Sequence, residues 1–150
     1  MRLIFVLLLL ALTAAKIAAF VLRGPVPIEL DAFGYWRLSS LVMGGDILML
    51  AESIAYRTPG YPWFLAIIRL INGTTSLWVI AVVQGLLTFA TIWIAAHIAD
   101  RITKLPRAMP WTLLVALPAI SALTFSSAVL SETLFVFLLM LNLLAVQNSL

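Results

Sequence analysis

The sequence predicts an all-α polytopic membrane protein with four transmembrane helices and a long first outer loop containing interfacial helices. Three observations lead there. Hydrophobic residues fill 64% of the 150 positions and charged residues only 10%, where ordinary soluble domains carry about a quarter charged residues. Such a chain cannot cover itself with a polar surface, and its mean hydropathy is +1.16. The apolar residues gather into runs long enough to cross the hydrocarbon core of a bilayer. Basic residues are shared unevenly among the connectors between those runs, which sets an orientation.

Composition also excludes some chemistry. There is no cysteine, so neither a disulfide nor a thiolate metal site can form. The net charge is +3 and scattered, without the basic patch that a nucleic-acid partner requires. Phosphate-binding glycine loops, HExxH and nucleophile elbows do not occur.

The first predicted span covers residues 3–22, an apolar run that follows Arg2. Its small residues near the end also resemble a secretory signal peptide. Signal cores are shorter than this run, so the segment is read as a retained helix. Lys16 within it is read as a lysine whose ammonium snorkels toward the interface. Residues 23–76 form the outer loop. Within it, residues 61–71 are too short to span, carry Arg69 and end at the turn signal Asn72-Gly73-Thr74-Thr75-Ser76. They are read as a helix lying along the interface. Asn72-Gly73-Thr74 also fits a glycosylation sequon, but the turn is the preferred reading.

Residues 77–99 form the second span. Residues 111–125, interrupted by Pro118, form the third, and residues 128–146 the fourth, with Ser126 and Ser127 as the turn between them. The connector 100–110 holds three basic residues and one acid, which assigns it to the cytoplasm. Residues 23–60 carry three arginines and four acids and belong outside. Both termini are then cytoplasmic.

Three ionisable residues distant in sequence converge on the outer face under this topology. Asp31 either caps a helix or acts as a general base. Arg57, beside Thr58-Pro59-Gly60-Tyr61-Pro62, is either an interfacial arginine in a turn or a fork for phosphate oxygens. Glu132 is the only acid between Trp111 and Val146. It is either an ion-pair partner, an interfacial residue or a functional carboxylate near the membrane. His97 and Gln84 are read as polar packing or end-of-span residues.

Three stretches together give the chain its resemblance to a known family. They are Asp31-x3-Tyr35 with Gly44 following, Arg57-Thr58-Pro59-Gly60-Tyr61-Pro62-Trp63-Phe64-Leu65-Ala66, and Ser131-Glu132-x-Leu134-Phe135. In order and spacing they resemble the N-terminal part of C-type membrane glycosyltransferases. The nearest pattern is that of bacterial members of the dolichyl-phosphate-mannose protein mannosyltransferase and aminoarabinose transferase family. The resemblance implies transfer of a sugar from a polyprenyl-phosphate-linked donor to a lipid, glycan or protein acceptor at the outer face of a bacterial inner membrane. It implies Asp31 and Glu132 as the catalytic carboxylates, Asp31 acting as general base, with Arg57, Tyr35 and Tyr61 binding substrate. No cofactor is expected, and a divalent cation is left open. Family members have many more membrane helices, so residues 1–150 are expected to be the N-terminal portion of such an enzyme, and catalysis by these residues alone is not expected. The alternative reading is a small non-catalytic membrane protein, either a transporter fragment or an assembly subunit.

The topology is testable because the chain lacks cysteine. In intact cells, an impermeant thiol reagent should label Ser40→Cys and spare Thr103→Cys. The reverse pattern would overturn the assignment of residues 23–76 to the outer side.

Overall fold

The computed structural model describes residues 2–28, 31–52, 58–72, 76–103, 108–116, 128–129 and 131–149. Its described residues form helices and connecting turns. These helices are α1 (Arg2–Arg23), α2 (Asp31–Met43), α3 (Gly60–Asn72), α4 (Leu77–Thr103), α5 (Ala108–Ala116) and α6 (Glu132–Ser149). Three stretches are long and apolar enough to cross a bilayer: Ile4–Arg23, Leu77–Thr103 and Glu132–Ser149. The chain is therefore a helical membrane protein with three such helices among its described residues. The fourth expected span, residues 111–125, is described only as far as Ala116, and Ser126 and Ser127 lie outside the described residues.

Local chemistry explains where the elements begin and end. Gly24, at φ +69°, ends α1, and its amide donates to Phe20 O at 3.0 Å. A left-handed residue just past the last turn is a common helix stop. Asp31 opens α2, where a carboxylate interacts favourably with the positive end of the helix dipole. Gly45, at φ +98°, follows the end of α2. Pro62 falls in the first turn of α3, where its missing N–H costs no helical bond.

The segment after α2 folds back on itself. The Asp46 carboxylate accepts from the amides of Leu50 at 2.9 Å and Ala51 at 3.0 Å. Those bonds hold its carboxyl below the usual carboxylate range. Trp63 of α3 donates its indole N–H to Ile47 O at 2.8 Å, and Arg37 of α2 pairs with Glu52 at 2.5 Å.

Arg69 locks α2 against α3. Its residue is only 8% exposed, although it stands near the end of an apolar helix. The guanidinium lies 3.9 Å from the centroid of the Trp36 ring. Its Nη1 donates to Trp36 O at 3.1 Å, Ser39 Oγ at 2.5 Å and Ser40 Oγ at 3.0 Å. Stacking over an indole and charge-assisted hydrogen bonds are the two interactions for which arginine is best suited. Burial pulls its pKa down, yet arginine retains its charge in proteins.

Polar contacts at both ends fix the direction of α6. At one end, Tyr35 in α2 reaches Ser131, the residue before α6. At the other, Arg101 near the end of α4 donates to Asn148 near the end of α6. The starts of α4 and α2–α3 share one core with Val129, so α4 and α6 run parallel. Between them in sequence, α5 packs on α4 and touches α1.

Arg69→Met should leave the buried Ser39 hydroxyl without its charged donor, while the Trp36 carbonyl keeps the Ser39 and Ser40 hydroxyls as donors. A buried group that loses its partner costs about 1–3 kcal/mol, so the thermal midpoint in detergent should fall clearly. Arg69→Lys should recover only part of the loss, since an ammonium lacks the planar face and the fork. Full recovery by lysine would show that charge alone matters.

Candidate functional site

Tyr61 is the centre of the cluster at the α2–α3 end of the molecule. It is 2% exposed and packs with Ala32, Leu65, Ile68, Ile80 and Val129. Its hydroxyl donates to Gln84 Oε1 of α4 at 3.3 Å. Its ring meets Tyr35 edge-on, with centroids 4.9 Å apart at 83°, and stacks on Phe64 at 5.8 Å and 26°. The aromatic contacts add to the area buried because ring edges and faces carry opposite partial charge.

Tyr35 carries this packing to α6. Its hydroxyl lies 3.1 Å from Ser131 Oγ, and either oxygen can donate. Ser131 O accepts from Phe135 N at 2.9 Å, the first hydrogen bond of α6, so Ser131 occupies the helix N-cap. The next residue, Glu132, is exposed and opens the helix, while Thr133 is buried. Asp31, also exposed, opens α2 one turn before Tyr35. Two carboxylates thus stand at the first positions of two helices, joined through a tyrosine–serine contact.

Burial pushes the Tyr61 phenol well above its ordinary range, and the negative charge of Glu132 and then Tyr35 add to the rise. The phenol therefore stays protonated and serves as a hydrogen-bond donor. Among the described residues, no group of three His, Asp or Glu side chains is arranged to hold a metal ion.

The expected site residues divide as follows. Tyr35 and Tyr61 are in contact, and Tyr35 touches the residue preceding Glu132. Tyr61 was expected to bind substrate, but it is buried and its hydroxyl is directed to Gln84. In this structure it orients Tyr35 from behind. Arg57 lies outside the described residues. Gln84, read from sequence as packing, is fully buried and accepts the Tyr61 hydrogen bond. An amide within an apolar span signals a hydrogen-bonded partner on another helix, although sequence does not say which one.

No protein-family model, no curated protein and no solved structure matches this chain. Its fold defines the class of helical membrane proteins.

The Tyr61 environment predicts a measurable titration. Above the ordinary phenol pKa of about 10, the unfolded chain releases a proton that the folded chain keeps, so stability should fall as pH rises. In alkaline absorbance titrations, the difference between wild type and Tyr61→Phe should appear only well beyond that pH. A difference centred on the ordinary phenol range would place Tyr61 in contact with water.

Proposed function

We propose that this chain is the N-terminal portion of a membrane glycosyltransferase, which moves a sugar from a polyprenyl-phosphate-linked donor to an acceptor at the outer face of a bacterial inner membrane. The observation that carries the reading is the meeting of helix starts at one end of the molecule. Asp31 and Glu132 each open a helix there, and Tyr35 and Ser131 join those helices. The order and spacing of the sequence motifs around Asp31, Arg57 and Glu132 support the same reading.

In this proposal Asp31 is the general base. A hydroxyl or amine of the acceptor attacks the anomeric carbon of the donor sugar and gives its proton to the Asp31 carboxylate. The bond from that carbon to the phosphate oxygen breaks, and the lipid phosphate departs with the electron pair. Arg57 neutralises the charge that gathers on the departing phosphate, as a positioned cation does for any developing oxyanion. Glu132 supplies the second carboxylate beside the acceptor. Tyr35 offers a hydroxyl to the sugar, and Tyr61 holds the Tyr35 ring in place.

Mutants of the full-length protein in native membranes test these roles. Asp31→Asn should leave carrier binding nearly intact while lowering transfer by about 10²- to 10⁴-fold, the usual effect of losing a general base. Arg57→Ala should weaken both carrier binding and transfer, with partial rescue by Arg57→Lys. Transfer at the wild-type rate by Asp31→Asn would remove Asp31 from the reaction. A wild-type protein that neither binds nor consumes a polyprenyl-phosphate sugar would favour the non-catalytic membrane protein.

A further inference from the structure

The turn that follows α2 presents Ile47, Leu48 and Leu50 at 60%, 64% and 81% exposure, while Met49 among them is 1% exposed. Met49 takes a left-handed φ of 53°, which few side chains adopt. The backbone groups of the turn find partners within the chain. The amides of Gly44, Gly45 and Asp46 donate to Ser40 O, Val42 O and Leu41 O. Those of Met49, Leu50 and Ala51 all donate to Asp46, the first to its carbonyl and the other two to its carboxylate. Ile47 O accepts from the Trp63 indole. Solvent would meet these needs for a turn in water, whereas a turn in lipid has to meet them itself.

The indole bond joins the turn to α3, and the polarity of α3 is inverted. Its one charged residue, Arg69, is buried against α2, whereas Trp63, Ile67, Leu70 and Ile71 form an exposed apolar stripe at helical spacing. The depth of α3 is set by α4. Asp100 and Arg101 mark where α4 leaves the hydrocarbon core, and a core of about 30 Å takes about 20 residues of helix. Counting back from Asp100 puts the other edge of the core near Ile80. Ile80 is buried in one cluster with Tyr61, Leu65 and Ile68 of α3, so α3 lies at that edge. Its exposed stripe and the attached turn stand where headgroups give way to acyl chains.

We propose that residues 46–51 form a membrane anchor, which dips Ile47, Leu48 and Leu50 into the leaflet around the start of α4. Lipid is the occupant because the backbone of the turn is satisfied without water, because α3 turns its charge inward and its apolar side outward, and because α4 fixes both at the edge of the core. Asp46, partly exposed at the neck of the turn, holds it closed and keeps its carboxylate among the headgroups. The chain regains charge just past the tip, where Glu52 pairs with Arg37. The anchor does not depend on the transferase reading.

Depth-resolved quenching tests the proposal, and the lack of native cysteine makes it direct. Leu48→Cys and Leu50→Cys are labelled with a polarity-sensitive fluorophore, with Thr103→Cys, exposed beyond Asp100, as the reference in water. The full chain is reconstituted in phosphatidylcholine vesicles that carry nitroxides either on the headgroup or along the acyl chain. Labels at positions 48 and 50 should emit to the blue of the reference and be quenched most by acyl-chain nitroxides, at a depth of about 5–10 Å past the headgroup boundary. Adding Asp46→Ala should return the label at position 50 to headgroup level. Asp46→Asn, which keeps one acceptor oxygen, should preserve part of the depth. Blue emission without quenching from lipid would reveal a protein surface over the turn and overturn the proposal. Emission matching the reference would overturn it too, by placing the turn in water. An unchanged depth in Asp46→Ala would overturn the role given to Asp46.

Discussion

Arg69 joins two short helices that could not hold together in isolation. Helices of 13 residues are marginal in water without tertiary packing. Here one guanidinium stacks on Trp36 and bonds to groups spread over a single turn of α2. That bond set fixes the rotation of α2 as well as its distance from α3. With the rotation fixed, Tyr35 faces Tyr61, and Asp31 stands one turn before it. The lock has an open side, because Arg69 Nε is buried without an acceptor among the described residues. The remaining interactions must offset that desolvation.

The Tyr61–Gln84 bond then ties this pair to the membrane helices. Gln84 sits two turns into α4, and its amide gives the phenol an acceptor inside an otherwise apolar core. From Tyr61 the packing continues through Tyr35 to Ser131 and the start of α6. Gln84, Tyr61, Tyr35 and Ser131 thus form a continuous line of contacts that ends at the residue before Glu132. The carboxylates stay exposed, Tyr35 and Ser131 near them are half-buried, and Tyr61 and Gln84 behind are buried. Water can reach the acids, and the Tyr61 ring behind them is packed on several sides.

Much of the architecture was legible because hydrophobic run length and turn chemistry are local signals. The expected helix at 61–71 appears as α3, from Gly60 to Asn72, and Asp31 does begin a helix. Helix ends were less legible than membrane edges. Charged residues mark where a span leaves the bilayer, but they do not unwind a helix, so α4 continues to Thr103 through Asp100 and Arg101. Pro110 fits the first turn of α5, which starts at Ala108 rather than 111. Ser131 caps α6, and regular helix therefore begins at Glu132 rather than 128. The Arg69 lock and the Tyr61–Gln84 bond join residues about 20 to 30 positions apart. Their partners are chosen by how helices face one another, which no local pattern records. Arg57, central to the sequence reading, lies outside the described residues.

The packing of α1 has a mechanical consequence. Its aromatic contacts lie near opposite ends, Phe5 against Trp111 and Phe20 against Trp78, and little of its surface between them is buried. At 1.5 Å per residue its 22 residues extend about 33 Å, slightly beyond a typical hydrocarbon core of about 30 Å. Hydrophobic mismatch in a thin bilayer is relieved by helix tilt, and among the described helices α1 packs least against the others. Gly24 closes the helix in a left-handed turn beside the Trp78 ring. Membrane thickness thereby becomes a mechanical input to this protein, felt first as the angle of its outermost helix.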